Sequence, residues 1–332
     1  MIASMSLKKL GRRQWLAAVA ALTMGASLPA AVAQNYPDKP IRWIVPYAAG
    51  GASDIVARLI GEGVGNELGQ RVVVENRPGA GGILGTQVLA SAPPDGYAMV
   101  TADNGGLYNN WYLYETMPYS PDSFEYAAML GRFPLILAVG KDVPVRNVGE
   151  WAQWVKQNPA KASYGTPGIG SPHHLSMASL MDILELKMTH IPYKGDSAAV
   201  VDLIGGQIPT MFMGLATARN YINDDRVRFL AVTWPDRLDA LPNVPTLEQA
   251  GVKGFEISAE QGVLVPAGTP PEVVGKLNAA INKVLARPEV QEKLASLGMY
   301  PVMKSPEEFK THVDDQRPKA GELIKRQGIT IN

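Results

Sequence analysis

The sequence predicts an α/β protein of two lobes, and three observations lead there. Short apolar runs alternate with stretches of helical period along most of the chain, which implies parallel sheets covered by helices on both faces. Of the 332 residues, 299 remain once an N-terminal leader of 33 is set aside, more than one hydrophobic core usually serves. Three strand-to-helix junctions are Gly-rich, and such junctions are where α/β sheets bind ligands.

The elements follow in order. Ile41-Arg42-Trp43-Ile44-Val45 is a strand closed by Pro46, and a helix with apolar residues at Ile55, Leu59, Ile60, Val64 and Leu68 ends at Gly69. Arg71–Glu75 reads as a strand, Leu84–Ala92 as a helix and Tyr97–Thr101 as a strand. The pattern resumes with a helix at Val148–Gln157, a strand at Ala162–Gly165 and a helix at Leu175–Leu186. Strand Met188–Pro192, helix Ser197–Gly205 and strands Thr210–Met213 and Val227–Thr233 come next. An irregular Pro-rich stretch then leads to three helices at Pro271–Ala286, Pro288–Leu297 and Pro306–Gln327.

Residues 1–33 carry Lys8, Lys9, Arg12 and Arg13, then an apolar run from Trp15 to Leu28, then Ala31-Val32-Ala33. A basic head, a short apolar run and an A-x-A site read as an export signal cleaved after Ala33. Arg12-Arg13 leaves twin-arginine and general secretory export both open. The leader holds four of the 31 basic residues and none of the 31 acidic ones, so the remainder carries 27 against 31. That balance gives no footprint for nucleic acid. No later segment reaches the 18 apolar residues of a membrane anchor. With no cysteine, disulfides, thiolate nucleophiles and Cys-ligated metals are excluded, as is a lipid anchor at the cleavage point. A free soluble protein outside the cytoplasm is expected.

Four junctions could carry chemistry. In Tyr47-Ala48-Ala49-Gly50-Gly51-Ala52-Ser53-Asp54, two glycines let a ligand approach the backbone, and the helix start offers N–H groups to an anion. Backbone donors predict that a branched side chain at Gly51 would obstruct both turn and anion, while loss of the Ser53 hydroxyl would cost only about 1 kcal/mol. The same residues also read as a tight turn capped by Ser53 or Asp54. In Asn76–Gly85, the glycines Gly79, Gly81 and Gly85 followed by Asp103 imitate a dinucleotide fingerprint, but the spacing is not standard and Pro78 interrupts it. The third junction runs Gly165-Thr166-Pro167-Gly168-Ile169-Gly170-Ser171-Pro172-His173-His174, with Ser171 placed to cap a helix. Adjacent histidines diverge on a helix, so no metal is expected there. The fourth, His190–Gly195, ends a strand with Lys194, either a carboxylate partner or a solvated loop cation. A G-x-S-x-G elbow, an H-E-x-x-H helix and a paired acid/base set are all missing.

Six segments, YPDKPIRWIVPYAAGGASD (36–54), GQRVVVENRPGAGGILG (69–85), APPDGY (92–97), HIPYKGDSAAVVDLIGGQI (190–208), LAVTWPDRLDALPNVPTLEQAGVKGFE (230–256) and GVLVPAGTPPEVVGKLN (262–278), together resemble the periplasmic substrate-binding proteins of tripartite tricarboxylate transporters, the Bug family. The resemblance implies a type II periplasmic-binding fold, with one lobe from 34–137 and 260–332, a second from 138–259, and a two-strand hinge. It implies a small carboxylate in the cleft, a membrane transporter as partner, no cofactor, no catalytic activity and a monomer. Loop 47–54 would grip one carboxylate through Tyr47, Ala49, Gly50, Gly51, Ala52, Ser53 and Asp54, using backbone amides and ordered water. Thr166, Gly168, Gly170 and Ser171 would contact it from the other lobe, with His174 matching the family's His-Leu pair. Three departures bear on the ligand: Tyr47-Ala48-Ala49 where Phe-Pro-Pro is usual, Asp103 and Asn104 where small hydroxyl residues are usual, and Met213 where Asp or Asn is frequent. Met213 would favour an apolar ligand body. The competing reading from another class is an exported NAD(P)-dependent oxidoreductase built on residues 79–85 and Asp103.

Overall fold

The computed structural model describes residues 36–47, 49–193, 195–255 and 257–331. The leader, Ala48 and Lys194 lie outside these residues, and so do the export signal and the proposed lysine contact.

Two mixed sheets organise the chain. The first has the order β11-β4-β10-β3-β1-β2, built from β1 (Ile41–Val45), β2 (Val72–Asn76), β3 (Ala98–Asp103), β4 (Phe124–Phe133), β10 (Ala259–Pro266) and β11 (Tyr300–Pro301). The second has the order β7-β6-β8-β5-β9, from β5 (Leu135–Gly140), β6 (Ser163–Thr166), β7 (Thr189–Pro192), β8 (Thr210–Gly214) and β9 (Val227–Val232). Pro134 separates β4 from β5, so the chain changes sheet there, and it returns between β9 and β10. The sheets are not wholly parallel as expected. β10 runs antiparallel to β3 and β4, and β5 runs antiparallel to β8 and β9. A strand that has just crossed enters its new sheet from the cleft end, so it must oppose strands that finish there.

Burial on both faces explains the strand composition. In β1, Ile41, Trp43 and Val45 pack with Val56 and Ile60 of α1 (Ala52–Leu68). Ile44 points the other way, toward Ile83 and Leu89 of α2 (Ile83–Ala90). A π-turn at Gly105–Asn109 leads into the short α3 (Asn110–Leu113) on that second face. In the second sheet, Leu135, Leu137 and Phe212 meet Trp151 of α4 (Val148–Gln157) and Met177 of α5 (Pro172–Ile183). Ile136, Met211 and Met213 meet Val200 and Leu203 of α6 (Asp196–Ile204) and Leu215 of α7 (Leu215–Ala218). The C-terminal part forms α8 (Pro271–Leu285), α9 (Pro288–Ser296) and α10 (Pro306–Arg326). α10 opens with a capping box between Ser305 and Glu308.

A further contact joins the two halves. Leu323, Ile324 and Ile329, on α10 and the tail beyond it, pack with Leu113 of α3 and with Leu175 and Ala178 of α5. Arg326 and Gln327 both reach Asp182 at the end of α5.

Candidate functional site

The loop after β1 is built around one carboxylate. Asp54, 4 % exposed, sits in the first turn of α1 and reaches back to the Gly50 N–H through Oδ2 at 2.9 Å. Its Oδ1 accepts from Asn76 Nδ2 at 3.0 Å and pairs with Arg58 at 2.9 Å. Asn76 also donates to the Tyr47 carbonyl at 3.1 Å, so β2 holds the loop from beside it. Burial works to raise the Asp54 carboxyl, but Arg58 and the Gly50 and Asn76 donors outweigh it and hold the group below its usual range. Asp54 therefore shapes the loop. Gly50 has φ of 81°, whereas Gly51 is an extended N-cap at −76°. The positive φ that needs glycine falls on Gly50, not on Gly51. Ala49, Gly50 and Gly51 are exposed, and Ser53 is half-buried. The first turn of α1 has amides without intrahelical acceptors, which with the helix dipole favours an anion by roughly 0.3–1 kcal/mol.

The end of β3 is less open than the sequence suggests. Asp103 Oδ1 accepts the Gly105 and Gly106 amides at 2.9 and 3.3 Å, and the Tyr47 hydroxyl bonds the same carboxyl. Burial raises the Asp103 carboxyl against these donors and drives the Tyr47 phenol well above its ordinary value. Asn104 is committed to the second crossing: Nδ2 donates to the Ser258 carbonyl at 2.8 Å and Oδ1 accepts the Glu260 N–H at 2.7 Å. Glu260 gathers Arg132 at 2.9 Å, His312 at 2.8 Å, Ser258 at 2.8 Å and the Tyr108 hydroxyl. Burial would raise its carboxyl, yet His312 and Arg132 hold it below the usual range. Both crossings are thus fastened by one buried carboxylate.

From the second sheet, the 166–171 loop is a hydrogen-bonded scaffold. Ser171 caps α5 by accepting the His174 N–H at 3.2 Å, and His174 Nδ1 accepts the Gly170 N–H at 3.1 Å. His174 stacks on His190 with centroids 3.8 Å apart, and His190 Nε2 lies 2.7 Å from Thr166 Oγ1. Burial, then His190, pushes His174 down to about 3, and burial alone pushes His190 down to about 4. Both rings are neutral and turned inward. Thr166 is fully buried, and its hydroxyl donates to the Gly168 carbonyl at 3.1 Å. The opposite half touches the loop directly: Asn109 Nδ2 donates to the Gly170 carbonyl at 3.0 Å, and Leu113 packs over Gly170.

Met213 is fully buried against α6 and α7, on the helix-covered face of β8, and is no cleft wall. The glycine run at 79–85 forms a left-handed turn whose space is filled by protein. Tyr114 and Tyr47 stand over Gly81 and Gly82, and Asn110 donates to the Gly81 carbonyl at 3.2 Å.

Sequence reasoning missed two residues at the strand ends. Asp196, first in α6, accepts the Gly214 N–H at 3.2 Å and faces His173 Nε2 at 3.3 Å. Burial works to raise its carboxyl, but His173 and the donors around it hold it low. Its place after Gly195 at a helix start was the available signal. Gln261 of β10 donates to Ser53 Oγ at 2.6 Å. It stands in a stretch whose Gly and polar residues hid the strand.

Residues 56–329 match the sequence profile of the tripartite tricarboxylate transporter family receptor. The chain belongs to this receptor family. A Pseudomonas sp. (strain P51) protein from the tcbD-tcbE intergenic region is 38 % identical over 98 % of the chain and 97 % of its own length. Among solved structures, a Rhodopseudomonas palustris protein with adipate matches at 30 % identity and a TM-score of 0.78, covering 89 % of this chain and 100 % of that one. MatC of the same organism, with bound malate, matches at 30 % identity and a TM-score of 0.74, covering 87 % and 100 %. These receptors are periplasmic solute-binding proteins of two-sheet α/β fold, as the resemblance implied, and not enzymes. The oxidoreductase alternative falls with that finding.

Proposed function

We propose that this receptor captures a small carboxylate between its two halves, closes on it and presents it to the membrane subunits of a tripartite tricarboxylate-type transporter. In this reading the first sheet, with residues 36–134 and 259–331, forms one lobe and the second, with 135–258, the other, so the first crossing falls at Pro134 rather than at 137. The protein acts as a monomer in the periplasm, after cleavage of the leader behind Ala33. The observation that carries the reading is the pairing of two glycine loops at strand ends, 50–54 on one sheet and 166–171 on the other, each opening a helix. The adipate and malate of the two R. palustris relatives support a di- or tricarboxylate, and an aromatic carboxylate belongs to the same class. Asp103, Asn104 and His174 serve by fixing the loops. A thermal-shift series with mono-, di-, tri- and aromatic carboxylates tests the proposal. One class should raise the melting temperature in a concentration-dependent way, and a flat response to all of them would refute it.

A further inference from the structure

Gln261 stands beside Asp103 in the register of β10 and β3, and is only 6 % exposed. Its Nε2 donates to Ser53 Oγ at 2.6 Å, while its Oε1 has no hydrogen-bond partner among the described residues. A buried amide oxygen left unpaired is unfavourable for folding, so the residue is poorly explained as a stabilising element. What the other end of the amide does is a better explanation. A serine hydroxyl owns a single hydrogen. Because Ser53 Oγ accepts from Gln261, its own hydrogen must be directed to another acceptor. Ser53 lies in the first turn of α1, on the loop that would receive the ligand.

We propose that Gln261 is a positioning residue for ligand recognition: by engaging Ser53 Oγ as an acceptor, it turns the Ser53 hydroxyl into a donor aimed at the bound carboxylate. The inference rests on the carboxylate reading above and names the residue that sets the polarity of its grip. A neutral amide suits the task. It fixes the direction of the hydroxyl without placing a charge beside the anion, whereas a carboxylate would do the reverse.

Gln261→Glu tests this, with acetate, succinate, malate, adipate, citrate and benzoate titrated calorimetrically. At pH 7.5 the introduced carboxylate would draw the Ser53 hydrogen to itself and repel the ligand. Whichever probe the wild type binds should bind about a hundredfold more weakly. Burial and the neighbouring Asp103 carboxyl would raise the introduced carboxyl above the ordinary range, so that at pH 5 it gains a proton and can again donate to Ser53. Most of the lost affinity should then return, beyond any change the wild type shows over the same range. A folded Gln261→Glu variant that binds like the wild type at pH 7.5 overturns the proposal, since the amide would then sit end for end with its oxygen toward Ser53. A loss that acid does not reverse overturns it as well. Should Gln261→Glu not fold, a double-mutant cycle decides. Ser53→Ala should weaken binding roughly fivefold in the wild type and far less in Gln261→Leu, and equal losses in both backgrounds would sink the idea. If the wild type binds none of the probes, the carboxylate reading fails and this inference with it. If it binds and the variants match it, only this inference fails.

Discussion

Gly50 and Gly51 stand side by side, yet the fold asks different things of them. Gly50, at φ of 81°, has open space where a Cβ would be, so the cost of a side chain there is conformational rather than steric. Gly50→Ala should lose about 1–2 kcal/mol in chemical denaturation, whereas Gly51→Ala, at an extended N-cap where only the preference of that position for glycine over alanine is lost, should lose roughly 0.5 kcal/mol. Equal losses would mean that the turn tolerates either residue. The sequence announced the Gly-Gly turn but not which glycine carries the strain, because dihedral angles depend on how Asp54 draws in the Gly50 amide. The role of Asp54 as a loop organiser was legible in outline from its position at a helix start. The inward turn of Met213 was not, since a strand buried on both faces offers no polar alternation to tell one side from the other.

The α5 element shows how a binding loop can depend on protonation behind it. His174 Nδ1 must be unprotonated to accept the Gly170 N–H, and His190 is stacked against it. Unfolded histidine titrates near 6.5, and these two titrate at about 3 and about 4 in the fold. With folded values depressed, their neutral forms contribute stability that is fully present above about pH 6.5 and is lost as the pH falls toward 4 and 3. The melting temperature should therefore hold between pH 7 and 8 and drop on acidification below 6.5. His174→Asn, which keeps an acceptor for Gly170, should show a shallower drop, and an unchanged acid profile would assign the effect to carboxylates instead. Helices were readable to within a few residues because period, caps and Pro at first positions coincide, as in Pro271–Leu285. The strands Phe124–Phe133, Leu135–Gly140 and Ala259–Pro266 escaped the sequence reading. Two of them merge into one near-continuous apolar run, and the third hides behind Glu260, Gln261 and Gly262.

At the scale of the molecule, the crossings near Pro134 and before Ala259 form the only passages of the chain between sheets among the described residues. Their charged fastening at Glu260 ties both to α10 through His312. A ligand that prefers the closed arrangement should draw the halves together, so small-angle scattering should give a smaller radius of gyration at saturation. An identical profile with binding confirmed would argue against hinge closure. The two-lobed plan was legible from chain length and alternation, but the antiparallel crossing strands belong to long-range topology that no local window contains. The Asn109–Gly170 hydrogen bond is a link additional to the two chain crossings and joins the halves at the very loop proposed to hold the ligand. It has a kinetic meaning. If the halves part to admit a solute, a solute leaving the closed cleft must wait for this bond and the Leu113 contact to let go, while one arriving meets a cleft in which they are open. Asn109→Ala should then shorten the residence time of the bound solute severalfold in stopped-flow displacement and leave its association rate nearly unchanged. The receptor's hold on its cargo, and hence the interval available for meeting a transporter, would be set by one amide that is not part of either crossing.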